Sequence, residues 1–292
     1  MSSSAFKQVD VFARSAFAGN PVAVILDGVA LDDAAMQRIA RWTNLSETTF
    51  VLPPTQPQAD YRLRIFTPER ELPFAGHPSV GSAHAVLEAG LAAPREGRLV
   101  QECGAGLLPV RVLGEGEERE LFVRAPEPAL RRLDAAQVDA LLGALGIGPD
   151  ALASPAVRAI DIGPVWITLR LRDAARVRAL RPDMRALAAA AASAGAIGAN
   201  VFGSEDGGGA DYAVRSFCPG DGIDEDPVCG SGNAAVAAWL RADGAAQGEW
   251  VASQGREIGR DGRVAVRLGA DGSIEIGGRA TTRIEGWLRL QG

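Results

Sequence analysis

The sequence predicts an α+β protein made of two copies of one half, and two stretches that return later in the chain carry that expectation. ADYRLRIFTP (59–68) comes back as ADYAVRSFCP (210–219), so that Ala59, Asp60, Tyr61, Arg64, Phe66 and Pro68 meet Ala210, Asp211, Tyr212, Arg215, Phe217 and Pro219 at an offset of 151 residues. PFAGHPSVGSAHAVLEAG (73–90) comes back as PVCGSGNAAVAAWLRADG (227–244), with Pro73, Gly76 and Gly90 meeting Pro227, Gly230 and Gly244 at an offset of 154. A period this long, present in two copies, marks duplicated domains rather than a solenoid. The expected halves are 1–127 and 128–292, joined within APEPALRRLDAAQ (125–137), where two prolines interrupt the pattern.

The elements follow in order. LDDAAMQRIARW (31–42) is helical in pattern and leads into the short apolar segment TFVL. Tyr61, Leu63 and Ile65 then alternate with polar residues as a strand, until Pro68 ends the ladder. A loop follows, and from Ser79 to Ala89 the residues are small or apolar on nearly every face, as in a helix buried all round. The second copy repeats this: RPDMRALAAAAA (181–192), NVFG, a strand through Tyr212, Val214 and Ser216, a loop, and a buried helix from Asn233 to Asp243. Gly90 and Gly244 supply the left-handed residue that ends each buried helix. Each half is therefore expected to be a strand-built shell around a central helix.

Composition narrows the function classes. The 292 residues are 47% hydrophobic, enough for a substantial core, and carry a net charge of -6 with no basic block, which argues against nucleic acid as a partner. The longest apolar run, 186–192, is too short to span a bilayer, and MSSSAFKQVD lacks a signal pattern, so a cytoplasmic location without membrane contact is expected. Cys103, Cys218 and Cys229 form no CxxC pair and have two histidines for company, which indicates neither a disulfide framework nor a metal site.

The start of a helix offers unpaired N–H groups and the positive end of a dipole, and glycine there lets a ligand oxygen come close. Gly76–His77 and Gly230–Ser231–Gly232 read as two such places, related by the duplication and suited to gripping a small carboxylate from two sides. The plainer reading is that these glycines only make tight turns. Glu47 stands between a helix and an apolar strand, where partial burial would let one carboxyl both take and return a proton near neutral pH; a surface helix-terminal glutamate is the alternative. Asn20, in GNP, reads equally as part of a ligand-binding rim or as the turn before a strand. His84, inside the buried helix, reads as packing, and Asp226 stands in an acidic run that solvent alone would accommodate.

FAGNPVAVIL (17–26), NLSETTFVL (44–52), FTPERELPFAGHPSVGSAHAV (66–86), EDPVCGSGNAAVAAWL (225–240) and GREIGRDGRVAVRL (255–268), in that order, resemble the PhzF-like phenazine-biosynthesis isomerases over essentially the whole chain. The resemblance implies the two-domain fold of diaminopimelate epimerase and proline racemase, with the active site in the cleft between the halves. It implies Glu47 as general acid/base, His77 and Asp226 assisting and orienting the substrate, and Ser231 with the loop amides of Gly76, Gly230 and Gly232 holding a carboxylate. It also implies a reaction of the dihydro-hydroxyanthranilate type without cofactor or metal, and a homodimer. Racemases of this fold set one cysteine before each glycine loop; here Cys229 fills the second position and Ala75 the first, which removes a two-thiol mechanism. A binding protein without turnover, or an epimerase or lyase of another substrate, remains the alternative.

Overall fold

The computed structural model describes residues 3–244 and 248–289. The chain divides into two compact units: one holds the residues up to Arg124 together with those from Gly277 onward, the other Ala125–Ile276. The break at Arg124 falls close to the expected linker. The tail is a correction to the expected second domain of 128–292, because from Gly277 the chain belongs to the first unit. The physical reason is strand pairing with the very start of the chain, described below.

The first unit contains β1 (Ser3–Val11), β2 (Asn20–Ile25), α1 (Asp33–Thr43), β3 (Thr48–Leu52), β4 (Tyr61–Phe66), β5 (Glu71–Leu72), α2 (Gly76–Glu88), β6 (Arg98–Cys103), β7 (Gly106–Leu113) and β8 (Glu120–Arg124). β2 and β3 pair in parallel across the α1 crossover, and β4 and β6 across α2. Asp32 caps α1 by accepting from Ala35 N, and Asn44 ends it in the left-handed conformation (φ 54°). Residues 77–86 of α2 are all buried, against β1, β2, β3, β4 and β8.

The second unit contains β9 (Ala129–Arg132), α3 (Ala135–Leu145), β10 (Arg158–Asp161), β11 (Val165–Arg170), α4 (Ala174–Ala179), α5 (Met184–Ser193), β12 (Gly198–Ser204), β13 (Tyr212–Cys218), β14 (Ile223–Asp226), α6 (Gly230–Ala242), β15 (Gly248–Gln254) and β16 (Gly262–Leu268). Its parallel pairs repeat the plan: β11 with β12 across α4 and α5, β13 with β15 across α6. Residues 232–240 of α6 are buried against β10, β11, β12 and β16. A second core joins α3, α4 and α5 to the opposite face of the sheet through Leu141, Leu145, Val177, Leu187, Ala213 and Phe217. That layer explains a departure from the expected alternation: β13 is buried on both faces from Ala213 to Cys218, whereas β4 alternates through Ile65.

β17 (Ile274–Arg289) begins in the second unit and runs on into the first, where it pairs antiparallel with β1 from Ser3↔Arg289 to Val11↔Ala280. It also pairs with β8. The pairings of the first unit thus run in a ring, β1–β2–β3–β4–β6–β7–β8–β17 and back to β1, around α2.

Both buried helices start three residues before Ser79 and Asn233, at Gly76 and Gly230, so the expected glycine loops are the first turns of the helices. Pro78 sits third in α2. It is tolerated because first-turn N–H groups have no intrahelical partner. Gly90 (φ 66°) and Gly244 (φ 65°) are left-handed just past the helix ends, as expected. Among the described residues no helix is long and apolar enough to cross a membrane.

Candidate active site

In the first unit three candidate residues come together from three connections. Asn20 opens β2 and is buried; the N–H of Gly19 just before it donates to Asp10 Oδ1 (2.8 Å), which pins the turn from β1. Glu47 lies between the left-handed end of α1 and β3, as the sequence indicated, with its side chain 15% exposed. His77, second residue of α2, is 5% exposed in its side chain, and its Nε2 stands 3.4 Å from Glu47 Oε2.

The third side of the cluster orients the ring. Ser46 Oγ donates to Asn20 Oδ1 (3.5 Å), which turns the amide nitrogen of Asn20 toward His77 Nδ1 (3.4 Å). With Nδ1 accepting, the proton of a neutral imidazole resides on Nε2, facing the carboxylate of Glu47. A carboxyl and an imidazole so arranged, mostly out of water, can exchange a proton with a bound carbon acid.

In the second unit Asp226 ends β14, and Asp226, Cys229 and Ser231 occupy one turn leading into α6. Asp226 Oδ1 accepts from Val228 N (3.1 Å), so its carboxylate shapes that turn. Cys229 is the N-cap of α6: its sulfur accepts from Gly232 N (3.2 Å) and lies 3.4 Å from Ser231 Oγ. Ala75, at the matching place in α2, makes no side-chain cap. Burial, followed by the nearby charge of Asp226, pushes the Cys229 thiol well above its ordinary range, so it remains protonated near neutral pH.

Gly232 is needed for close approach. A Cβ there would fall 2.5 Å from Ser216 Oγ and 2.9 Å from Asn200 Oδ1. Beneath the turn lies a buried amide cluster. Gln254 Oε1 accepts from Cys229 N (3.1 Å) and Asn233 Nδ2 (2.9 Å), while Gln254 Nε2 donates to Asp226 O (3.0 Å) and Ser216 Oγ (3.2 Å). Asn200 Nδ2 donates to Gly232 O (2.6 Å).

Ser46, Trp166, Gln254 and Asn233 escaped sequence reasoning. Ser46 adjoins Glu47 and Asn233 lies inside a quoted motif, so both had a local signal, whereas Trp166 and Gln254 reach the turn only through the tertiary fold. His84 is buried, with Nε2 3.8 Å from Glu88 Oε2, and burial lowers its tendency to protonate. Among the described residues no three His, Cys, Asp or Glu side chains come together as a metal site would require.

Residues 9–286 match the family model of phenazine biosynthesis-like proteins, PhzC-PhzF. The chain belongs to that family. Antisense-enhancing sequence 1 of Schizosaccharomyces pombe is 40% identical over 98% of this chain and 99% of its own length. Trans-2,3-dihydro-3-hydroxyanthranilate isomerase of Pseudomonas aeruginosa is 35% identical over 95% and 96%. The crystal structure of a PhzF-family phenazine biosynthesis protein from Bacillus anthracis superposes with a TM-score of 0.86 at 25% identity, covering 99% of this chain and all of that one. A probable proline racemase from Agrobacterium radiobacter shares the fold at 16% identity (TM-score 0.69, 99% and 93% covered). Within the PhzF family the chain stands among isomerases, and the expected epimerase-like fold is the one observed.

Proposed function

We propose that this PhzF-family isomerase moves a proton within a small cyclic carboxylate, without a cofactor, with Glu47 as general acid/base. The observation that carries the proposal is the contact of Glu47 Oε2 with His77 Nε2 at 3.4 Å, in a cluster where Asn20 fixes the ring. Glu47, as a carboxylate, takes the proton from carbon, becomes the neutral acid and returns that proton elsewhere on the substrate, while His77 Nε2 beside it stabilises the carboxylate form before the proton arrives and after it leaves. Ser231 and the first-turn amides of Gly76 and Gly230 hold the substrate carboxylate and the enolate-like charge that develops, and Asp226 orients the substrate; the amide of Gly232, expected to share that task, is a correction, since it already donates to Cys229 Sγ. The relative named for trans-2,3-dihydro-3-hydroxyanthranilate supports that compound as the first to try. The family resemblance makes a homodimer the form to expect, and a cytoplasmic location goes with the reading.

The test is solvent deuterium incorporation in heavy water, followed by NMR, into trans-2,3-dihydro-3-hydroxyanthranilate and a panel of small cyclic carboxylates. Label entering a compound with the wild type and not with Glu47→Gln is the expected result. Exchange that persists in Glu47→Gln removes Glu47 from the role, and binding without exchange on any compound favours a protein that only binds.

A further inference from the structure

Trp166, on β11, is 2% exposed, and its indole Nε1–H donates to Ser231 Oγ across 3.0 Å. An indole nitrogen only donates, so in this bond the hydroxyl oxygen must accept. Cys229 Sγ, 3.4 Å away on the same hydroxyl, already accepts from Gly232 N. Burial keeps the thiol protonated, so its S–H is available to the second lone pair of Ser231 Oγ. A hydroxyl that accepts from two donors has its own proton left to give in a third direction.

We propose that Trp166 is a positioning residue that, with Cys229, turns the hydroxyl of Ser231 into a dedicated donor to a bound carboxylate. This rests on the reading of Ser231 as a carboxylate-holding residue and adds what fixes its polarity. A serine free to rotate would face an anion with a lone pair part of the time; the indole N–H takes that orientation away before the ligand arrives. The preference for an anionic oxygen over a hydrogen-bond donor at this point of the substrate then originates in a strand residue that touches no substrate.

The experiment is a double-mutant cycle on the intact protein, with 3-hydroxyanthranilate as the titrated probe. Trp166→Phe keeps a ring and loses the N–H; it is expected to weaken probe binding about tenfold in the wild-type background and not at all in Ser231→Ala. Cys229→Ala is expected to give a smaller loss, again only where Ser231 is present. Equal losses in both backgrounds reveal packing alone and overturn the inference. If Ser231→Ala leaves the affinity unchanged, the carboxylate-holding reading of Ser231 itself fails, and the inference with it. A measurement that leaves Trp166 in place uses its indole N–H resonance, which should move upfield and exchange faster in Ser231→Ala; an unmoved resonance overturns the contact.

Discussion

The starts of α2 and α6 occupy matching places in the two units, yet they are supported in different ways. Several scaffold contacts survive in both copies. Asp60 accepts from Val100 N (2.7 Å) and Asp211 from Val251 N (2.8 Å), each tying the start of its strand to a parallel neighbour. Arg64 makes a two-pronged pair with Glu71 (2.7 and 2.6 Å) and lies over Phe66, as Arg215 does with Glu225 (2.9 and 2.6 Å) over Phe217. Around the helix starts the copies part company. α2 carries His77 against Glu47, while α6 carries Ser231 above a buried amide cluster. The duplication kept the contacts that hold strands and hairpins in register and exchanged those that decide what the helix start can do. In the function proposed above, one copy moves protons and the other holds an anion.

Variants at the two helix starts break that division most directly. Glu47→Gln should slow deuterium exchange by roughly two to four orders of magnitude with little change in affinity. Ser231→Ala should instead raise KM, with kcat less affected. If the two variants gave the same pattern of kcat and KM, the division of labour would be lost.

The next effect concerns the repeated arginine pair. The side chains of Arg215 and Glu225 are 6% and 5% exposed, and Leu180 O, at the end of α4, accepts from Arg215 Nη1 (2.8 Å). Both acids on Arg64 stand nearer to solvent: Glu71 is 42% exposed, and Asp33, at the start of α1 and 2.6 Å from Arg64 Nη1, is 84% exposed. Arg215→Ala should cost about 3–5 kcal/mol in urea unfolding, since it strands a buried carboxylate. Arg64→Ala should cost about 1 kcal/mol or less. Equal costs would mean that burial of the acid does not set the strength of the pair.

Smaller differences are expected between two buried glutamines. Gln254→Leu removes the amide that joins Cys229, Asn233, Ser216 and Asp226, and should cost roughly 2–4 kcal/mol by leaving several of them unmatched. Gln101, bonded to Ser79 Oγ and Tyr61 Oη in the first unit, should cost about 1–2 kcal/mol when changed to Leu. Urea midpoints of the two variants check the ranking.

The smallest effect is a pH dependence. The Thr55 hydroxyl, helped by the backbone N–H groups of Thr55 and Gln56, holds the Glu102 carboxyl below its usual range despite partial burial. A carboxylate depressed in the folded state stabilises above its unfolded pKa of about 4.3, and that stabilisation fades as pH falls through the lower folded value. The difference in urea midpoint between wild type and Glu102→Gln should therefore shrink below about pH 4. At the matching place in the second unit stands Ser253, which has no such titration to lose.

These contacts explain what could be read in the sequence. Asp60, Arg64 and Phe66 recur as Asp211, Arg215 and Phe217 because each repeats a specific bond or ring contact, so the duplication remained visible at those positions. Glu71 and Glu225 share the offset of the glycines and belong to the same pairs, but two acids in acidic loops give no signal until their arginines are seen beside them. Glu47, His77 and Asn20 were legible because each sits within a motif. Trp166 and Gln254 were not, since what makes them matter is a turn 65 residues and 25 residues away in the chain. The early start of α2 was hidden by Pro78, which locally looks like a boundary although the first turn accepts it, and that of α6 by the glycines Gly230 and Gly232, which locally look like a loop. The return of the tail to the first unit was equally hidden, because antiparallel pairing of 3–11 with 280–289 leaves no mark in either segment alone.

That tail has a consequence for how the protein comes off the ribosome. The second unit is one continuous stretch of chain, and all the strands that pair within it from β9 to β16 are synthesised before Gly277. The ring of the first unit, begun by the earliest residues, keeps β1 and β8 without their shared neighbour until β17 follows. Vectorial synthesis therefore lets the later-encoded unit mature first, and a nascent chain carries two open strand edges until β17 covers them.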